Sequence, residues 1–184
     1  MIASIFFSFW FFAPAGFANL LAFASGKISF LKKLNYPVDC FKTFRGKRIL
    51  GSHKTIRGFV VAILAGIFGC YLEIFLYGIF PWIRTMVPVD YSTVQPILLG
   101  TLLGLGALTG DSVKSFFKRQ MEIPPGKSWF PFDQIDYIVG GVVFSLFYIR
   151  LSLVEYVILF IVWFLIHPFA TFVGYLFKLR HKPL

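Results

Sequence analysis

Charge is scarce in this chain. Only 14% of its 184 residues are Asp, Glu, Lys or Arg, whereas a soluble domain carries about 25%, so water is not its main solvent. Acidic residues are scarcest, eight against eighteen basic ones. Two cysteines, Cys40 in a basic loop and Cys70 in an apolar run, exclude a disulfide framework and show no metal spacing; neither is assigned a role. There is no internal repeat, low-complexity tract or interdomain linker, so residues 1–184 read as a single domain. Apolar residues fill the chain instead: 58% are hydrophobic, 25 of them Phe, and the mean hydropathy is +0.77.

A bilayer core takes about 20 predominantly apolar residues per helix. Five stretches qualify or nearly do: 1–24, 58–80, 94–109, 137–149 with its flanks, and 153–177. Ala22-Phe23-Ala24 imitates a signal-peptide cleavage site, but no basic residue precedes the apolar run and Lys27, Lys32 and Lys33 follow it. That order predicts a retained first helix. Nine basic residues lie in the loop 25–57, Lys114, Lys118, Arg119 and Lys127 follow the third span, and Lys178, Arg180 and Lys182 follow the fifth. These sixteen fall on one side of a five-span layout and only Arg84 and Arg150 on the other. Cytoplasmic loops carry such an excess. The reading is therefore an all-α integral membrane protein of about five transmembrane helices, N-terminus outside and C-terminus cytoplasmic, in the cell membrane. The net charge of +10 is topological, and nucleic acid is not expected as a partner.

Polar residues at membrane depth need a reason. If the third helix continues, Asp111, Lys114, Ser115 and Lys118 fall at i, i+3, i+4 and i+7 and share a face, with Arg119 at its edge. After a Pro-rich loop come Asp133 and Asp136, i and i+3 at the start of the fourth span. One Asp explains a helix cap. Two on one face, beside Asp111 across a short loop, suit a hard divalent cation such as Mg²⁺, which takes carboxylate and phosphate oxygens. A third group, Gly51-Ser52-His53-Lys54-Thr55-Ile56-Arg57-Gly58, opens the second span and reads as a phosphate cradle at a helix N-terminus. Glu73, inside the second span, is expected to reach the outer interface or to pair with Arg84 or Arg150.

The order Pro37-Val38-Asp39, Lys42-Thr43-Phe44-Arg45-Gly46, Arg48-Ile49-Leu50-Gly51, Lys54-Thr55-Ile56-Arg57-Gly58, Gly106-Ala107-Leu108-Thr109-Gly110-Asp111, Lys114-Ser115-Phe116, Lys118-Arg119, Pro125-Gly126 and Asp133-Gln134-Ile135-Asp136 resembles the CDP-archaeol synthase family, CTP-dependent cytidylyltransferases distantly related to the CDP-diacylglycerol synthases. The likeness covers nearly the whole chain. It departs at Ile56, where the family usually has Trp, and at Ser52-His53. The resemblance implies a polar cytoplasmic cavity opening sideways to lipid, and transfer of CMP from CTP to a lipid phosphate of ether-lipid or diacylglycerol type.

On that reading the catalytic residues are Asp111, Lys114, Ser115, Lys118 and Arg119. Asp39, Lys54, Thr55 and Arg57 bind substrate, and Asp111, Asp133 and Asp136 hold Mg²⁺. The partners are CTP, the lipid phosphate and the membrane, with a homodimer as a candidate assembly. The competing class is a non-catalytic scaffold or carrier whose basic loops bind anionic lipid. That class has no use for three clustered carboxylates.

Overall fold

The computed structural model describes residues 1–124 and 127–176. Pro125-Gly126 of the resembling motif and the tail cations Lys178, Arg180 and Lys182 lie outside the described residues. Apolar runs become helices because a helix satisfies every backbone N–H within its own segment. The first is α1, Ile2–Ala24, with Pro14 inside it. The second is α2, Ile56–Ile79, capped by Thr55, whose hydroxyl accepts from the Gly58 N–H at 3.3 Å. A short α3, Pro81–Met86, was not foreseen. Then come α4, Pro96–Gln120, α5, Phe132–Ser145, and α6, Leu153–Leu176. Both α3 and α4 begin with proline, whose missing N–H is no loss in a first turn.

Among the described residues, three helices are long and apolar enough to cross a membrane: α1, α2 and α4. The fourth expected stretch forms a shorter helix than the others. There α5 has 14 residues, about 21 Å at the helical rise, against a hydrocarbon core of about 30 Å. It starts at Phe132, so Asp133 and Asp136 lie in its first turns, where their i, i+3 spacing put them. The predicted continuation of the third span is found: α4 runs without a break through Lys114 to Gln120.

Helix α4 is central, packed on α2 along one side and α5 along another. Close approach comes from small residues, since lipid-solvated helices gain little from burying apolar area against one another. Gly100 and Gly104 lie against Ala62 and Gly66 of α2, and Gly106 and Gly110 against Gly140 and Asp136 of α5. A Cβ on Gly110 would strike the carbonyl oxygen of Asp136. Helix α6 is fastened by Trp163, whose indole N–H donates to the Ser8 carbonyl at 3.0 Å and whose own carbonyl accepts from Tyr137 at 3.2 Å.

Between α1 and α2 the chain forms a loop with a two-stranded antiparallel hairpin, β1 (Thr43–Phe44) and β2 (Lys47–Arg48). The loop's start is stitched to the entry of α2: Val38 N–H donates to the Lys54 carbonyl at 2.8 Å and Ile56 N–H to the Tyr36 carbonyl at 2.9 Å. Glu73 departs from expectation. It is buried in α2 with neither carboxylate oxygen hydrogen-bonded among the described residues, while Arg84 donates to the carbonyls of Tyr77 and Gly78.

Candidate active site

The polar face predicted on α4 is real, and α5 supplies its opposite wall. Because Gly110 lets the α5 backbone come close, Asp136 faces the turn of α4 that carries Asp111 and Lys114. The Lys114 ammonium lies among three carboxylates, 3.0 Å from Asp111 Oδ1, 2.8 Å from Asp133 Oδ1 and 2.5 Å from Asp136 Oδ2. Lys118 shares Asp133, reaching its two oxygens at 2.8 and 3.1 Å, and donates also to the Lys127 carbonyl at 2.7 Å. Lys54, from the loop before α2, pairs with the other oxygen of Asp111. Three segments far apart in the chain thus meet in one ionic cluster. Its side chains are mostly buried, Lys114 at 13% exposure and Asp111 and Asp133 at 18%. In so dry a place, each charge is held by its opposite.

Ser115 donates its hydroxyl to the Asp111 carbonyl one turn back at 2.8 Å. Arg57, whose guanidinium lies beside Gly26 just past the end of α1, and Arg119 each have a buried Nε without a hydrogen-bond partner among the described residues. A Cβ on Gly51 would come 3.6 Å from Arg119 Cδ, so Arg119 reaches from α4 to the glycine of the first loop. Thr55 spends its hydroxyl on capping α2. Gly51, Thr55 and Arg57 belong to the segment expected to form a phosphate cradle, and Ser115 and Arg119 to the polar face of α4.

Asp39 is put to another use than direct contact with a ligand. Its carboxylate accepts five hydrogen bonds: from Arg48 Nη2 and Nε at 2.7 and 3.1 Å, and from the N–H groups of Phe41, Leu50 and Gly51, each at 3.1 Å. A carboxylate has about four lone-pair positions, so none is left over. Burial works against its charge, but Arg48 and the three N–H groups outweigh that and hold the carboxyl at about 2. Asp39 therefore fixes the loop that carries Gly51 and Lys54. Arg48, which the sequence left without a role, is its partner. Lys47 and Trp129 were missed as well: Lys47 donates to the Gln120 carbonyl at 2.8 Å, and the Trp129 N–H donates to Asp133 at 2.5 Å. No side-chain pattern marks a partner that is a backbone atom.

The three carboxylates are an all-oxygen donor set of the kind Mg²⁺ takes. Oδ2 of Asp136 touches Lys114 as an ion pair but is buried without a directed hydrogen bond. The donor chemistry fits a hard cation. With Lys114 between them, no three Asp, Glu, His or Cys among the described residues stand so as to share one.

Comparison with known proteins places the fold and the family. A solved structure titled as an intramembrane enzyme for archaeal membrane lipids biosynthesis superposes with a TM-score of 0.67, covering 88% of this chain and 90% of its own, at 24% identity; the likeness is one of fold. CDP-archaeol synthase of Thermococcus kodakarensis is 32% identical over 184 residues, 99% of this chain and 98% of its own. That of Methanopyrus kandleri is 35% identical, over 95% and 90%, and that of Methanospirillum hungatei 32% identical, over 80% and 89%. The CarS-like family, described as CDP-archaeol synthase, matches residues 1–184. Matched from end to end, this chain belongs to the CarS-like family.

Proposed function

We propose that the chain transfers CMP from CTP to a membrane lipid phosphate of the archaeol ether-lipid type, giving a CDP-activated lipid and pyrophosphate. The observation that carries the reading is the meeting of Asp111, Asp133 and Asp136 around Lys114, with Lys54 closing on Asp111. Family membership over the full length supports it. The scaffold reading is not favoured, because anionic lipid needs cations at a surface and gains nothing from three buried carboxylates.

An oxygen of the lipid phosphate bonds to the α-phosphorus of CTP as the bond from that phosphorus to the β-bridging oxygen breaks. Pyrophosphate leaves with the electron pair. The nucleophile needs no general base, since a phosphate monoester has a second pKa of about 6 and is mostly dianionic at neutral pH. The difficulty is bringing two polyanions together. Lys114 and Lys118 are held by carboxylates and turn to phosphate oxygens as substrate enters. Arg57 and Arg119 offer buried N–H donors that have no other partner among the described residues. Lys54, on the loop braced by Asp39, grips the triphosphate, and Thr55 holds the start of α2 beneath it. Ser115 lends an oxygen to the same face. Asp111, Asp133 and Asp136 are the residues that would hold a divalent cation such as Mg²⁺, which would supply positive charge to offset that of the phosphates.

In this reading the 184 residues form one domain of about five helices set in the cell membrane, α5 being shorter than the bilayer core is thick. The N-terminus is outside and the site opens as a polar cavity to the cytoplasm, where sixteen of the eighteen cations lie. Every site residue comes from one chain, so pairing into a homodimer adds nothing the chemistry needs. The test is pyrophosphate release by purified protein in detergent with CTP, Mg²⁺ and archaeol-type or diacylglycerol phosphates. Release that depends on lipid and stops with EDTA is the expected result. No release with any lipid, together with no thermal stabilisation by CTP, would sink the proposal.

A further inference from the structure

On the last two turns of α4, Val113, Phe116, Phe117 and Gln120 fall at i, i+3, i+4 and i+7, on the face opposite Lys114 and Lys118. The β1–β2 hairpin lies against this second face. The ring of Phe44 meets that of Phe116 at 5.8 Å, and Phe116 meets Phe117 at 5.5 Å. Lys47 ties the other strand down, donating to the Gln120 carbonyl and pairing with Glu122, both at 2.8 Å. A cavity of about 520 Å³ opens between hairpin and helix, lined by Phe44, Arg45, Lys47, Phe116, Phe117 and Gln120.

Two features of this groove have no use in the reaction above. The hairpin turns through Arg45 and Gly46, with φ of +52° and +76°. Such a two-residue turn favours Asn-Gly or Gly-Gly, and an arginine there sits in backbone space that L side chains rarely adopt. Strain of this kind is a pointer to function. Arg45 makes no ion pair among the described residues; its guanidinium lies over the Phe44 ring, 5.3 Å from its centre, at the mouth of the groove. Gln120, on the helix side, has a buried Nε2 with no hydrogen-bond partner among the described residues. The floor is aromatic and remains open, with Phe44 and Phe117 about half exposed.

A basic mouth over an aromatic floor, at the end of a helix long and apolar enough to cross a membrane, is complementary to one kind of molecule. We propose that this groove binds an anionic phospholipid of the surrounding membrane, its headgroup phosphate on Arg45 and the Gln120 amide and its chains over Phe44 and Phe117. The site is separate from the carboxylate cluster, being on the other face of α4. A lipid seated there would brace the hairpin, and through Arg48 and Asp39 the loop that carries Lys54.

The test is native mass spectrometry of the full-length protein, delipidated in neutral detergent and titrated with phosphatidylglycerol or phosphatidylcholine. Wild type should retain one phosphatidylglycerol in preference to phosphatidylcholine. Arg45→Gly removes the cation and gives the turn the residue it favours, so it should unfold at an equal or higher temperature. Its preference should fall by about fivefold, the effect of one interfacial cation. Phe117→Ala should weaken retention of both lipids. Asp136→Asn should bind as wild type does, which separates this site from the one proposed for CMP transfer. Unchanged preference in Arg45→Gly would overturn the proposal. So would displacement of the bound lipid by equimolar pyrophosphate, which would make the groove a site for free phosphate.

Discussion

Asp39 and Asp136 are both buried carboxylates, and their surroundings give them opposite tasks. Asp39 accepts from three backbone N–H groups and one guanidinium, so its charge is spent on holding a loop. Its carboxyl is held at about 2, below the ordinary 3.8. A depressed value in the folded state means the stabilisation is complete above the unfolded value and disappears as pH falls through the folded one. Thermal unfolding of the purified protein should therefore lose a component between about pH 4 and pH 2, and that component should be missing in Asp39→Asn. Asp39→Ala leaves several buried donors unpaired, and the loop should weaken by on the order of 1–3 kcal/mol, seen as a lowered unfolding midpoint. Asp136 has one backbone bond, from the Tyr137 N–H at 2.6 Å, and an ion pair to Lys114. Asn keeps its shape and removes its charge. Asp136→Asn should lower pyrophosphate release at least about 100-fold, the scale of losing one electrostatic contact to a transition state, with the unfolding midpoint little changed. Wild-type turnover in that variant would remove Asp136 from the site.

Among the elements, α4 decides where the chemistry sits. Its two glycine pairs face α2 and α5, and the second pair draws Asp136 towards Asp111. Gly110→Val would push a side chain into the Asp136 carbonyl. Overpacking of this kind costs about 1–3 kcal/mol, so the midpoint should drop and activity should fall with it as the carboxylates part. Gly104→Val, on the α2 side, should destabilise comparably but keep a larger share of its activity per folded molecule. Much of this element was legible in the sequence, since Asp111, Lys114, Ser115 and Lys118 repeat with the helical period and cannot all face lipid. The convergence of Asp133 and Asp136 on Lys114 was half legible: the i, i+3 spacing gave the shared face, but only the glycine contact gives its direction. Asp39 was misread because its partners are mostly backbone amides, which leave no pattern of side chains. The short α3 was hidden because an apolar stretch ending near Pro81 looks the same whether the chain then loops or turns once more.

Among the described residues the cations gather at one end, where α4 finishes and where α2 and α5 begin, with Arg84 and Arg150 apart from them. The two cysteines, left without a chemical role, report on that polarity. Cys40 is exposed in the basic loop and Cys70 is buried in α2. A membrane-impermeant maleimide should label Cys40 in inside-out vesicles and spare it in sealed right-side-out ones. Labelling with the opposite sidedness would reverse the proposed orientation. The ionic cluster also bears on how such a chain is made. Lys54 precedes Asp111 by 57 residues, so at about 5–20 residues per second roughly 3–11 s pass on the ribosome before its counter-charge exists. Asp133 and Asp136 arrive later still. On the proposed orientation each of these charges emerges at the cytoplasmic edge of the bilayer, so it can wait hydrated until its partner is synthesised. The site is thus a late joint, closed only when the fifth helix begins, and a nascent chain stalled before Asp133 would be inserted in the membrane yet have no active centre.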